Sequence, residues 1–194
     1  MRLRLVNLLV TAALVLPMAA QAETFSYRYV DAAHLPDAEI DSGSVDVNGD
    51  GMQLRGSLPF YQNFFVLAEL QDLNLDNGVD STRIMIGAGG HWPINGMLDI
   101  VARAGVVDYE VEAGSFDDDD TGLFIGARVR AIVAPKLELE GGIEHLSVEV
   151  AGLDNDTYLV GEGRYNFTPQ WSAGVLLTLG GDTSIFGVHG RYSF

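Results

Sequence analysis

The feature that most constrains this chain is an alternation of apolar and polar positions that recurs along most of its length. Every second residue is apolar or glycine from Trp171 to Leu179, from Phe186 to Phe194, from Leu123 to Ala131 and from Ile84 to Trp92. A repeat of two residues indicates β-strands with one apolar face. No segment shows the 3.6-residue stripe of an amphipathic helix. The sequence therefore predicts an all-β protein.

The N-terminus carries a separate element. Two arginines precede an apolar run from Leu8 to Leu16, and Ala20-Gln21-Ala22 has the pattern of a cleavage site. These features predict a secretory signal peptide over residues 1–22, which is removed after Ala22. A transmembrane anchor is the alternative, but the run is shorter than the ~20 residues that a spanning helix needs. Residues 23–194 then form a single domain.

Composition narrows the classes of function. Without the signal peptide, the chain keeps 9 Lys and Arg residues against 27 Asp and Glu residues. We expect no nucleic-acid partner, because binding to phosphates requires a basic surface. The chain has no cysteine, so no disulfide stabilises it. No later apolar run is long enough for a spanning helix, so entry into a membrane would require a closed barrel.

Two kinds of connection alternate between the predicted strands. Four are tight and contain a proline, namely Pro59, Pro93, Pro135 and Pro169. The others are longer and acidic, and hold Asp37, Glu39, Asp41, Asp46, Asp76, Asp80, Asp117 to Asp120, Asp154, Asp156 and Asp182.

This spacing predicts an antiparallel up-and-down transmembrane β-barrel of about ten strands, with eight as the alternative count if the first hairpin is misread. The predicted strands lie near residues 24–31, 50–58, 64–73, 82–92, 97–109, 122–133, 136–148, 157–167, 171–180 and 185–194. With an even count, all tight turns lie at one end of the barrel and all acidic loops at the other. Transmembrane barrels have short periplasmic turns and longer extracellular loops in this arrangement.

The polar faces of the predicted strands carry most of the remaining charge. They hold Arg28, Arg55, Arg83, Arg103, Arg128, Arg130, Arg164 and Arg191, with Glu69, Asp99, Glu138, Glu140, Glu144 and Glu162. An arginine that faces lipid at the bilayer midplane costs roughly 2–4 kcal/mol, so we expect these faces to line the lumen. Opposite charges in a narrow lumen must pair, which favours a plugged interior. The alternatives are a small charged pore and a soluble barrel whose polar face meets water.

Aromatic residues are expected to form two girdles at the membrane surfaces. The first set lies near the proline turns: Phe60, Tyr61, Phe64, Trp92, Tyr165, Phe167, Trp171, Tyr192 and Phe194, joined by Phe25, Tyr27 and Tyr29. The second set lies near the acidic connections: Tyr109, Phe124, Tyr158 and Phe186.

The last predicted strand, IFGVHGRYSF, ends in Phe194 and has Tyr192, Val188 and Phe186 at alternate positions before it. With the cleavage pattern and the alternating strands, it resembles the small Gram-negative outer-membrane barrels of the OmpX/OmpA type. The resemblance implies an integral outer-membrane protein with periplasmic termini, surrounded by outer-membrane lipid and lipopolysaccharide. It also implies that the barrel-assembly machinery reads the strand ending in Phe194. The expected role is structural, or surface interaction through the acidic loops, and not enzymatic.

One motif is a candidate for catalysis. His145-Leu146-Ser147 puts an imidazole and a hydroxyl on one face of a strand, with Glu149 close by. The pair resembles the H-x-S pair of the lipid A deacylases, although Val148 stands where those enzymes have asparagine. A lipid-modifying hydrolase is therefore the alternative function. The simpler interpretation is that His145 and Ser147 line the lumen.

One motif is a candidate for a metal site. Asp46, Asn48 and Asp50, followed by Gly51, match the first half of a calcium loop, but Ser57 stands where the bidentate glutamate belongs. The same residues are typical of a turn before a strand. We expect no cofactor except divalent cations, held with ~mM affinity, that bridge acidic loops to lipopolysaccharide phosphates.

Overall fold

The computed structural model describes residues 25–41, 46–114, 116–148, 156–181 and 183–194. These form ten strands: β1 (Tyr29–Asp41), β2 (Asp46–Tyr61), β3 (Phe64–Leu75), β4 (Val79–Asn95), β5 (Leu98–Ala113), β6 (Phe116–Ala134), β7 (Leu137–Ser147), β8 (Asp156–Asn166), β9 (Trp171–Leu179) and β10 (Thr183–Ser193). Each strand pairs antiparallel with its neighbours in sequence, and β1 pairs with β10 to close the barrel. The predicted all-β, ten-stranded up-and-down barrel is confirmed, and the eight-stranded alternative is wrong.

The two ends of the barrel differ. We call the end near Pro59, Pro93, Pro135 and Pro169 the proline end, and the opposite end the acidic end. Both described termini lie at the proline end, where Tyr29 pairs with Ser193. The predicted signal peptide over residues 1–22, and the predicted loop residues Asp154 and Asp182, lie outside the described residues. Within the described ranges, no helix is both long and apolar enough to cross a membrane.

Several strands extend further towards the acidic end than the sequence predicts. The predicted first strand is 24–31, whereas β1 is Tyr29–Asp41, so Asp37 and Glu39 lie on a strand. Asp117 to Asp120 likewise lie within β6 and not in a loop. The expectation of long acidic loops is therefore wrong at these positions, and also at four further residues on β1, β2, β4 and β8, namely Asp41, Asp46, Asp80 and Asp156. A strand that leaves the bilayer can carry polar residues on both faces, which makes its sequence similar to that of a loop.

A belt of apolar side chains surrounds the barrel. On β6, for example, Leu123, Ile125 and Val129 point outward and are 63%, 62% and 46% exposed. The ion-paired side chains of Arg128 and Arg130 alternate with them and point inward. Monomeric soluble proteins rarely expose contiguous apolar surface on this scale. The barrel therefore has the faces of a lipid-embedded protein, and the soluble alternative with a polar outer face is wrong.

The aromatic girdle is confirmed at the proline end and is wrong at the acidic end. The outward aromatic side chains of the proline end are exposed: Phe60, Tyr61, Phe64, Trp92, Tyr165, Phe167 and Trp171. At the acidic end only Phe186 among the predicted residues is exposed. Tyr109, Phe124 and Tyr158 are buried inside the barrel, because they occupy the inward positions of their strands.

A bulge in β1 changes which residues face inward. Leu35 pairs with Gly51, but the next recorded pair on this side joins Ala38 to Gly49, so β1 contains one extra residue. Pro36 lies in this bulge and has no N–H to donate to a neighbouring strand. The bulge shifts the alternation of the strand, so Leu35 points inward before it and Ala38 points inward after it. Both side chains are fully buried. These residues belong to an apolar cluster inside the acidic end, with Ile40, Leu73, Leu75, Leu176 and Ile185.

Candidate functional site

The middle of the barrel contains a dense set of paired charges. The ion-paired side chains are seven arginines (Arg55, Arg83, Arg103, Arg128, Arg130, Arg164, Arg191) and six carboxylates (Asp31, Glu69, Glu138, Glu140, Glu144, Glu162), and a seventh carboxylate, Asp99, lies beside His91. Each of these side chains is at most 13% exposed. With neutral histidines, the set has no net charge.

Most of these residues are the ones that the sequence predicts. Asp31 was missed, because it falls within the stretch whose strand boundaries were misplaced. Arg28 was wrongly included: it precedes β1 and alternates with Tyr27, which is buried, and Tyr29, whose ring centroid is 3.8 Å from Arg191 Cζ. Arg28 is therefore on the opposite face from the lumen arginines.

Asp31 and Glu162 form the centre of the network. Arg55 donates to both, through Nη2 to Asp31 Oδ1 and through Nη1 to Glu162 Oε2, at 2.8 Å each. Arg191 also binds both, at 3.0 Å to Asp31 and 3.1 Å to Glu162. His189 Nδ1 lies 2.8 Å from Asp31 Oδ2. These residues belong to β1, β2, β8 and β10, so the centre ties together strands that are not all neighbours.

From this centre, charges alternate in one connected chain across the lumen. In order, the chain is Glu162–Arg164–Glu138–Arg130–Glu140–Arg128–Glu144–Arg103–Glu69–Arg83. Each internal member contacts a group of opposite charge on both sides. Such pairing offsets part of the large cost of removing these charges from water.

Little space remains between these side chains. The cavity that they line has a volume of about 30 Å³. Its wall includes Arg55, Arg83, Arg103, Arg128, Glu140 and Glu144. A cavity needs roughly 10–15 Å³ of volume measured in this way to hold one water molecule, so this cavity has room for about two or three.

Two aromatic side chains are buried inside the barrel at the proline end. Phe25 and Tyr27, which the sequence assigns to the outer girdle, are each only 4% exposed. The Tyr27 hydroxyl donates to Asp99 Oδ2 at 2.9 Å, and its ring stacks on that of His91. The girdle prediction is wrong for these two residues and for Tyr29, which also points inward, with its ring centroid 3.8 Å from Arg191 Cζ. Alternation alone could not show that the segment before β1 enters the mouth of the barrel.

The catalytic candidates His145 and Ser147 are on the outside of the barrel. Both are exposed, because the inward positions of this stretch are Glu144, Leu146 and Val148. The interpretation that they line the lumen is therefore wrong. His145 Nδ1 lies 3.0 Å from the Thr157 hydroxyl oxygen on β8. Glu149 lies outside the described residues.

The calcium candidates lie at the start of β2. Asn48 and Asp50 are exposed and pair with Glu39 and Asn74 across the sheet, so the motif is part of an extended strand and not a turn. For Asp46 the structure describes only the backbone. The structure leaves the weak metal prediction for these residues untested.

Among the described residues, two other groups bring three possible metal ligands within 4.8 Å of one another. One is Glu110, Glu112 and Asp117 at the acidic end, and the other is Asp31, Glu162 and His189 in the lumen. The lumen group suits a cation poorly, because Arg55 and Arg191 already bind both of its carboxylates.

The fold and its two faces define an integral membrane β-barrel with an ion-paired interior. The family model of the outer membrane protein beta-barrel domain matches residues 8–163, and the chain belongs to this family. The protein is therefore an outer-membrane barrel. Among curated proteins, none matches the chain in sequence.

Three solved structures are similar to the chain at low sequence identity, and the first of them shows the same fold. An outer membrane channel from Pseudomonas putida F1 is 11% identical with a TM-score of 0.54, over 93% of this chain and 100% of that one. Neisserial surface protein A is 14% identical with a TM-score of 0.48, over 86% and 96%. The attachment invasion locus protein Ail of Yersinia pestis is 12% identical with a TM-score of 0.43, over 87% and 100%.

Proposed function

We propose that this protein is a structural barrel of the outer membrane whose lumen is plugged and does not conduct solutes. The observation that carries the proposal is the balanced interior, in which seven arginines, each at most 12% exposed, and seven carboxylates surround a cavity of about 30 Å³. A hydrated solute needs a continuous polar path, and the small volume left between the paired side chains supports a lumen without such a path. The protein then contributes to envelope integrity or to weak surface contacts, without catalysis.

Solute influx into proteoliposomes tests the plug. We expect vesicles that contain the barrel to swell in an isosmotic arabinose solution no faster than empty vesicles. Vesicles that contain a known porin provide the positive control. Swelling above the empty-vesicle rate would favour the alternative of a small pore.

The proposed orientation places the proline end in the periplasm, with cleavage after Ala22 and both termini on that side. In support, the terminal strand has an outward aromatic cluster at this end, where the Tyr192 ring lies 4.8 Å from Trp171 and 6.1 Å from Phe194. The barrel-assembly machinery would read this strand. N-terminal sequencing of the mature protein and protease digestion of intact cells test the cleavage and the orientation.

The acidic end would then face lipopolysaccharide. Carboxylates stand side by side on adjacent strands there, because Asp80 pairs with Glu112, Glu112 with Asp117, and Glu110 with Asp119. Like charges opposite one another repel, and a divalent cation between carboxylate and lipid phosphate would relieve the repulsion. We expect added Ca²⁺ to raise the melting temperature in lipopolysaccharide vesicles. An unchanged melting temperature would reject cation bridging.

A lipid-modifying hydrolase is the second candidate. It is favoured by the outward position of His145 and Ser147, close to the acidic-end border of the apolar belt, where a lipid could reach them. Mass spectrometry of lipid A from cells with and without the protein separates the two candidates. Loss of an acyl chain that requires both His145 and Ser147 would favour the hydrolase, and unchanged lipid A favours the structural barrel.

A further inference from the structure

The segment that precedes β1 crosses the mouth of the barrel at the proline end. It consists of residues 25–28 and is called the strap below. In the barrel, β1 lies between β2 and β10, but the side-chain partners of the strap are on β3, β4, β5 and β6. The strap therefore spans the opening towards the far wall and does not continue along its own side of the barrel.

Within the strap, Tyr27 makes specific side-chain contacts in this mouth. Its hydroxyl donates to Asp99 Oδ2 on β5 at 2.9 Å. Its ring stacks with two others, at centroid distances of 4.0 Å to His91 and 5.1 Å to Phe65. The residue is only 4% exposed, so the surrounding side chains enclose the ring almost completely.

Arg130 holds the strap from the lumen side. Its guanidinium carbon lies 4.5 Å from the centre of the Tyr27 ring and 5.0 Å from the centre of the Phe25 ring, both within the range of cation–π attraction. Its Nη1 donates to the backbone oxygen of Ser26 at 3.4 Å. The same guanidinium binds Glu138 at 2.6 Å, so one side chain joins the strap to the charge network.

Residues 25–27 of the strap can separate from the barrel without breaking a described backbone hydrogen bond. The ladders of β1 with β2 and β10 begin at Tyr29. In the described part of the chain, residues 25–27 make no hydrogen bond between backbone atoms, and the strap's one such bond is from Phe194 N to Arg28 O. Opening at residues 25–27 would therefore break side-chain contacts and leave the barrel wall intact. Segments of this kind open at a lower free energy than the strands they join.

We propose that the strap is a lid: docked, it seals the proline-end mouth, and released, it admits water and small reagents from that side to the charge network. This inference goes beyond the structural role proposed above. It predicts access to the mouth only, because the ion pairs further in continue to fill the middle of the lumen.

Cysteine accessibility tests the lid, and the chain has no cysteine of its own. Ser57 is a suitable reporter because it is 3% exposed and pairs with Tyr29 just inside the mouth. Its hydroxyl has no hydrogen-bond partner among the described residues, so the substitution breaks none of the bonds that the structure describes. The Ser57→Cys barrel is refolded in detergent micelles and treated with a charged, membrane-impermeant methanethiosulfonate. Only protein with the folded, heat-modifiable gel mobility is scored.

We expect Tyr27→Ala to raise the modification rate of the Ser57→Cys reporter at least tenfold. Tyr27→Phe keeps the stacked ring but loses the hydrogen bond to Asp99. The modification rate with Tyr27→Phe should therefore lie between the rate with Tyr27→Ala and the rate of the reporter in the otherwise unchanged barrel. Tyr165→Ala is the matched control, because Tyr165 is at the same end but 45% exposed on the outer face, and it should leave the rate unchanged.

Equal rates in all four backgrounds would overturn the lid. So would a reporter in the otherwise unchanged barrel that reacts as fast as Gln62→Cys, which lies in an exposed turn. If Tyr27→Ala prevents folding, Tyr27→Phe decides the question alone. Swelling of proteoliposomes tests the plugged lumen separately. A negative accessibility result would reject the lid but not the plugged lumen, and rapid swelling would reject the plugged lumen without changing the accessibility test.

Discussion

Removing one charge from the centre of the network should destabilise the barrel strongly. Glu162 accepts hydrogen bonds from Arg55 at 2.8 Å, from Arg191 at 3.1 Å and from Arg164. Glu162→Gln keeps the shape of the side chain but leaves the lumen with one uncompensated positive charge. Breaking a buried ion pair in this way costs roughly 3–5 kcal/mol.

A second substitution should recover much of that loss. In the double variant with Glu162→Gln and Arg164→Gln, the lumen is neutral again, while Arg55 and Arg191 keep Asp31 as a partner. Replacing a whole buried pair is far less costly than breaking it, so we expect at least about half of the loss to return. Glu39→Gln is the control, since Glu39 is exposed and its change should stay within about 0.5 kcal/mol.

Urea unfolding of the barrel in lipid vesicles measures these differences. Its two tryptophans, Trp92 and Trp171, both lie on the outer face and report loss of the lipid contact through their fluorescence. The reasoning would be refuted if Glu162→Gln cost less than roughly 1 kcal/mol, which is the value of an exposed ion pair. It would also be refuted if the double variant lost as much stability as the sum of the losses measured for Glu162→Gln alone and Arg164→Gln alone.

The remaining predictions concern the two faces and the last strand. Val129→Arg, in the middle of the apolar stretch of β6, should cost roughly 2–4 kcal/mol in urea unfolding, and Thr121→Arg beyond that stretch at most about 1; equal costs would contradict the assigned lipid face. Phe124→Ala should cost roughly 3–5 kcal/mol because the ring is 2% exposed inside the barrel and its removal leaves a cavity, and Phe186→Ala should cost less because lipid fills the space that its outward ring leaves; the reverse order would show that the faces are misassigned. Deletion of Phe194 should lower the amount of heat-modifiable barrel in purified outer membranes but not refolding in detergent, and an unchanged amount would reject its role in assembly.

The architecture was predictable because the polar–apolar period appears in nearly every strand. Arginines such as Arg128 and Arg130 sort to one face and Val129 to the other, and the cost of a lipid-facing arginine decides which face is inside. The period is a local property, however. It cannot show where a strand ends once it leaves the bilayer, so Asp117 to Asp120 resembled a loop although they belong to β6.

The centre of the site was harder to predict because it depends on contacts between distant strands. Asp31 is a main acceptor of the network because the pairing of β1 with β10 puts it opposite Arg191. The sequence does not show this pairing. The strap was missed for the same reason, since the partners of Tyr27 lie on the far side of the barrel. His145 was assigned to the lumen although Glu144 beside it occupies the inward position, and two adjacent residues of a strand cannot share a face.

Recordings from planar bilayers test the central claim, the plugged lumen, most directly. Purified barrel, inserted from detergent into a bilayer in 1 M KCl or a similar electrolyte, should produce no steady conductance steps while its gel mobility shows that it is folded. Reproducible, steady steps from the unmodified barrel would contradict the account, because they would require an open path through the arginine–carboxylate network.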